Sequence, residues 1–155
     1  MQIATTEFGI GRVVDLLGGR KTFDHPFSTA LEAHDNIEQG FPSRSLLVFL
    51  DNFPTLGRAE TIDKVVGVGL RTFQRHKKGG SAERLTREQS GKLYKTAEIV
   101  AKAVDVFGSN EAAERFLEEP VMALNRKRPI DLISTTAGAE LVERHLARID
   151  FGVYT

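Results

Sequence analysis

The chain has 155 residues, with 21 basic and 21 acidic side chains and 41% apolar content, which suits one domain or two small ones sharing a core. The absence of cysteine excludes disulfides and thiolate metal sites, and no apolar run approaches the roughly 20 residues that a membrane-spanning helix needs. The net charge of zero is unevenly spread: residues 1–57 sum to −3, 58–102 to +6 and 103–155 to −3. A basic middle between acidic ends focuses an anionic partner on one region. The first seven residues, Met1 to Glu7, lack the basic-then-apolar pattern of an export signal, so a cytoplasmic protein is expected.

In chain order, Phe8-Gly9-Ile10-Gly11 is not a dinucleotide-binding loop, because the third glycine and a preceding strand are missing. Val13, Val14, Leu16 and Leu17 form a short apolar segment before a Gly18-Gly19 turn, read as a partly ordered arm, with a small helix packed on the body as the alternative. Pro26 is placed to open a helix running through Ala30, Leu31 and Ile37 to Gly40. Pro42 or Ser43 starts another, carrying Leu46, Leu47, Phe49 and Leu50 and ended by Asn52-Phe53-Pro54.

From Thr61 the pattern sharpens. Ile62, Val65 and Val66 lie on one side of a short helix, and Gly67 or Gly69 permits a turn. A second helix follows with Leu70 and Phe73 inward and Arg71, Gln74, Arg75 and Lys78 towards solvent, closed by Gly79-Gly80. Two short helices, a tight turn and a basic outer face fit a helix-turn-helix. In a groove-bound helix Arg71, Gln74 and Arg75 reach base edges while His76, Lys77 and Lys78 meet phosphates. The same fold serving only as a packing scaffold is the alternative.

Thr86 caps the next helix, with Gln89 reaching back and Leu85 as the apolar staple. Leu93, Ala97, Val100, Val104 and Phe107 make one stripe along it, and Gly108 stops it. Ser109 caps a helix with Ala112, Ala113, Phe116 and Leu117, ending before Pro120. Asn125-Arg126-Lys127-Arg128 is a basic loop, and Pro129 begins a short segment with Ile130, Leu132 and Ile133. Thr135 or Thr136 caps a last helix, with Leu141, Val142, Leu146 and Ile149 inward and Gly152 near its end. No alternating strand pattern occurs, so the fold class is mainly α.

The four histidines, His25, His34, His76 and His145, have no metal-ligand spacing, and no phosphate loop, metalloprotease helix or nucleophile elbow is present. Glu118 and Glu119 face different ways on a helix. An enzyme is not expected. Phe151 and Tyr154, bracketing Gly152 and Val153, either close the protein's own core or form an exposed apolar tail that invites a partner.

Val106-Phe107-Gly108-Ser109-Asn110-Glu111-Ala112-Ala113, Ala123-Leu124 and Arg128-Pro129-Ile130-Asp131-Leu132-Ile133 together resemble the Xre/ParS/MbcA antitoxin family. The likeness continues through Thr135, Gly138, Val142, Leu146, Arg148-Ile149 and Gly152-Val153-Tyr154. The stretch Gly69 to Arg75 resembles the Xre-type turn and recognition helix that precede this domain. The resemblance implies an N-terminal arm and helix over 1–40, a helix-turn-helix domain over 41–107 and a small toxin-binding domain over 108–155. It also implies an antitoxin that neutralises a cognate RES-domain toxin, an enzyme that attacks NAD, by covering its active site. Such antitoxins commonly dimerise and repress the operon that encodes both proteins. Carried over, the toxin-binding residues are Arg126, Arg128, Arg148, Gly152, Val153, Tyr154 and Thr155, and the operator-contacting residues are Arg71, Thr72, Gln74, Arg75, Lys77 and Lys78. No cofactor is expected in this chain, because NAD belongs to the toxin. A toxin-independent regulator, and a toxin binder without DNA binding, are the alternatives. Three departures stand out: Asn125-Arg126-Lys127-Arg128 replaces the family's glycine-containing turn, where Asn tolerates a left-handed backbone, Val121-Met122 replaces the polar residue expected after Pro120, and Gly69 replaces a common capping serine.

Overall fold

The computed structural model describes residues 2–79, 83–150 and 152. Among the described residues there are nine α-helices, and β-type pairing is confined to two isolated bridges, Pro42 with Arg84 and Val121 with Lys127. The fold is mainly α, as the absence of alternating patterns indicates. The chain forms two compact units, Met1–Glu98 and Ile99–Thr155.

The first unit begins with α1 (Gln2–Leu16). The segment expected as an arm is therefore helical, and Ile10, Val13, Val14 and Leu17 are buried at the i, i+3, i+4, i+7 spacing of one helix face. α2 (Ala30–Gln39) starts four residues after Pro26, not at it. The reason is a capping box: Thr29 Oγ1 accepts from the Glu32 amide at 3.1 Å, and Glu32 Oε1 accepts from the Thr29 amide at 3.2 Å. Residues 26–28 before this cap are therefore outside the helix, and Phe27 among them is buried. Phe23 packs edge-on against Phe27 and Phe41 at centroid distances of 5.3 and 5.5 Å.

α3 (Ser43–Asn52), α4 (Ala59–Val66) and α5 (Leu70–Gly79) follow, with a 3-10 turn at Pro54–Gly57 after α3. α6 (Arg87–Phe107) opens on the reciprocal bonds expected of Thr86 and Gln89, at 3.1 and 2.9 Å. The junction between α2 and α3 is tied by backbone bonds to the segment before α6. The Leu85 amide donates to Phe41 O and the Ser43 amide to Glu83 O, both at 2.9 Å. Arg84 Nη1 donates to Gly40 O at 2.7 Å, and the Phe41 amide donates to the buried Ser90 Oγ at 2.8 Å. Gly40 has φ +86°, and a Cβ there would fall on Leu85 O, so glycine is required by both conformation and space.

The second unit comprises the last part of α6, α7 (Asn110–Glu118), a 3-10 turn at Met122–Leu124, α8 (Pro129–Leu132) and α9 (Thr136–Asp150). Gly108 (φ +94°) breaks the chain after α6, and Ser109 Oγ caps α7 by accepting from the Ala112 amide at 3.1 Å. Thr135 is the residue that caps α9, accepting from the Gly138 amide at 3.0 Å. Ala113, Leu117, Ile130, Ala139, Val142 and Leu146 are buried, while Leu141 is 45% exposed. That corrects the inward placement of Leu141: it lies about 100° around the helix from Val142, outside the inward face. Phe116 packs at a tilt against Phe107 at 4.9 Å and stacks on His145 at 6.0 Å, and Lys102 pairs with Asp150 at 2.9 Å.

Gly138 sits where the first turn of α9 presses on the end of α8. A Cβ there would land on the carbonyl oxygen of Leu132, well inside contact distance. Gly138→Ala should therefore destabilise this unit by about 2–3 kcal/mol, the usual cost of forced overpacking. Urea unfolding followed by circular dichroism checks it; an unchanged midpoint would show that the α8–α9 contact yields freely.

Candidate functional site

α4 and α5 are joined by Gly67-Val68-Gly69. Gly67 is left-handed (φ +74°) and its amide closes α4 on Asp63 O at 2.9 Å, Val68 is buried, and Gly69 O accepts from the Phe73 amide at 2.9 Å to open α5. The glycine at the α5 cap position thus does its work with backbone alone. Arg71, Gln74, Arg75, Lys77 and Lys78 are exposed and Thr72 is half-buried. The α5 residues named as candidate DNA contacts therefore form a predominantly exposed, basic surface. Lys77 Nζ lies 5.6 Å over the Phe73 ring, one helical turn away on the same side.

His76 does not belong with them. It is 1% exposed, so it cannot meet a phosphate. Its Nδ1 lies 2.6 Å from Ser43 Oγ, itself buried, and 3.4 Å from Glu83 Oε2. Both partners come from the tied α2–α3 and α5–α6 junctions, so His76 anchors the basic helix to that tie. Burial holds the His76 imidazole below its ordinary pKa, with Glu83 opposing this and Arg75 adding to it. Sequence reasoning missed this anchor because the imidazole's partners lie outside its own helix; its i+3 spacing from Phe73 was the available signal.

In the second unit the basic loop is a tight turn. Asn125 and Arg126 have φ +59° and +62°, and the Lys127 amide donates to Leu124 O at 3.2 Å. Two consecutive left-handed residues define a type I′ turn, which favours Asn followed by Gly. Asn125 fits; Arg126 carries the steric cost of a Cβ in the left-handed region, about 1–2 kcal/mol. The Arg126 amide on Val121 O at 2.9 Å and the Val121 amide on Lys127 O at 3.1 Å hold it there.

Arg126 is exposed. Arg128 is half-buried and grips Asp131 with both arms of its fork, Nε to Oδ2 at 2.9 Å and Nη2 to Oδ1 at 3.1 Å. Arg148 is exposed in the last turn of α9, where its charge adds to burial in lowering the pKa of His145. Gly152 is exposed with φ +69°. Phe151, Val153, Tyr154 and Thr155 lie outside the described residues. Among the described residues no group of three His, Asp or Glu could hold a metal, and no helix is long and apolar enough to cross a membrane.

Two measurements follow from this geometry. Arg126→Gly should raise stability by about 0.5–1 kcal/mol, because the relief of left-handed strain exceeds glycine's unfolded-state entropy; a lower melting temperature would contradict the strained turn. His76 and His145 both have folded pKa values below the ordinary 6.5. Below that pH the unfolded chain takes up protons that the folded chain resists, so stability should fall as pH drops from 6.5 through the folded values. His76→Gln should flatten the first unit's share of that slope in urea titrations between about pH 7.5 and 5.

Residues 102–152 match the family described as the antitoxin Xre/MbcA/ParS C-terminal toxin-binding domain. Antitoxin Xre of Yersinia enterocolitica is 25% identical over 131 residues, covering 84% of this chain and 86% of its own. Antitoxin Xre of Pseudomonas putida is 27% identical over 121 residues, 78% of this chain and 72% of its own. The Prs ADP-ribosylating antitoxin of a Sphingobium species is 29% identical over 96 residues, 56% of this chain and 60% of its own. The matched region, 102–152, takes in the strained turn and the α8–α9 pair, and two of these relatives also cover most of what precedes it. Residues 102–152 are therefore similar to the toxin-binding domain of the Xre/MbcA/ParS antitoxins, and the longer match is to proteins named Antitoxin Xre.

Proposed function

We propose that the chain is an antitoxin, that the toxin it neutralises is a RES-domain enzyme that consumes NAD, that it covers that enzyme's active site, and that it acts as a cytoplasmic homodimer repressing the operon of the pair. The toxin-binding domain over 102–152 is the observation that carries this reading. The name of the Sphingobium relative supports the chemistry, because ADP-ribosyl transfer draws its ADP-ribose from NAD. On the neutralising surface Arg126 and Arg148 offer exposed guanidinium groups suited to acidic residues or to a pocket made for phosphates. Arg128, forked on Asp131, holds the end of the turn that presents Arg126. Gly152, Val153, Tyr154 and Thr155 form the tail that fills the cleft.

The basic face of α5 supports operator binding. Arg71, Thr72, Gln74 and Arg75 suit base edges, while Lys77 and Lys78 suit phosphates. The helix–turn–helix arrangement of α4 and α5, with α5 anchored by His76, gives that face a fixed orientation.

Co-expression with the neighbouring gene, read out as growth and cellular NAD, tests the toxin reading. NAD should fall when the neighbour is expressed alone and recover with the full chain, but not with a chain ending at Phe151. A harmless, non-binding neighbour would favour a toxin-independent regulator. Products separate the chemistries: free ADP-ribose marks hydrolysis, a modified protein marks transfer. For the DNA arm, Arg75→Ala should weaken operator binding by about 1–3 kcal/mol, and Lys78→Ala should reduce the salt slope by about 1. Binding that does not change with salt would count against the α5 face.

A further inference from the structure

The second unit carries two large apolar side chains in the open: Met122 is 75% exposed and Leu141 is 45% exposed. Met122 begins the 3-10 turn at Met122–Leu124, and that turn packs against α9, the helix that carries Leu141. The two residues therefore stand on elements that touch. On α9 the outward stripe runs Ala137, Leu141, Arg144 and Arg148, all exposed and spaced at four, three and four. Arg144 lies 4.0 Å from Glu140 on the same face, an exposed pairing of little strength. The turn beside Met122 adds Arg126 and Lys127, both exposed.

We propose that Met122 and Leu141 are the apolar anchors of the toxin-docking surface, seated in an apolar recess of the toxin rimmed by carboxylates. This rests on the antitoxin assignment and specifies the face it uses. Three features favour it. The patch lies wholly within the toxin-binding domain over 102–152. The loop that presents Met122 is fixed by the paired bonds between Val121 and the Arg126–Lys127 end of the turn, and by Leu124 buried beneath, so little conformational freedom is lost on docking. A thioether also adapts its shape to a partner's recess more readily than a branched side chain does. The charge points to the occupant. In a two-fold dimer built on this patch, Arg126, Lys127, Arg144 and Arg148 of both copies would face one another, whereas an acidic partner neutralises them.

The test compares the full-length antitoxin with Met122→Glu, Leu141→Glu and the milder Met122→Ala, by calorimetric titration with the purified toxin encoded beside it. Each Glu variant should bind on the order of 100-fold more weakly, because a carboxylate would enter an apolar, acid-rimmed recess, and Met122→Ala should lose less. Melting temperatures should stay near that of the parent, since both side chains are exposed. Parent-like affinity in both Glu variants would overturn the proposal and leave the antitoxin role standing. Unchanged toxin affinity with a dimer-to-monomer shift in sedimentation would overturn it in favour of a second copy. No binding by the parent chain would remove the pairing with that neighbour, and the docking face with it.

Discussion

The first unit depends on a short clasp of backbone between Gly40–Ser43 and Glu83–Leu85. Phe41 lies at its centre, fully buried, with its amide held by Ser90 and its carbonyl by Leu85. Phe23 and Phe27 close on its ring. The clasp also supplies both groups that hold His76, because Ser43 and Glu83 are its two ends. Whatever α5 does with its basic face, the direction in which that face points is set from inside the unit, by a polar contact shielded from water.

The second unit is organised around two backbone intrusions. Gly138 lets α9 begin directly against the last carbonyls of α8. The turn at Leu124–Lys127 folds back on Val121 through a conformation that Arg126 tolerates badly. A strained arginine on an exposed turn, where the family's own pattern places glycine, is kept against a gradient of stability. The docking role proposed for this face would give its side chain a use in recognition that offsets the strain.

Local chemistry was legible and long-range chemistry was not. Thr86 with Gln89, Ser109 and Thr135 could be read as caps because each bond spans three residues and depends only on neighbours. Thr29 and Glu32 carry the same signature, but Pro26 competes with them as a helix start and its fixed φ drew the boundary too early. The buried Phe23–Phe27–Phe41 cluster has no periodicity to betray it, since all three members lie on irregular chain. His76 was placed with the lysines beside it by residue type, although its partners are Ser43 and Glu83, far off in sequence. Leu141 was assigned inward by hydrophobicity, one position from Val142, and a helix gives such neighbours different faces. The likeness over residues 102–152 was legible as a constellation of separated short motifs; the exposure of Met122 was not.

The clasp also has a kinetic side. Its bonds join residues 44 and 49 positions apart, and closing a loop of that length costs about 3 kcal/mol of chain entropy before any contact rewards it. The helices of the second unit meet across much shorter loops, with α7, α8 and α9 following one another in sequence and in space. Local contacts form faster than distant ones. The second unit can therefore take shape on its own contacts, while the first waits for the chain to find its clasp.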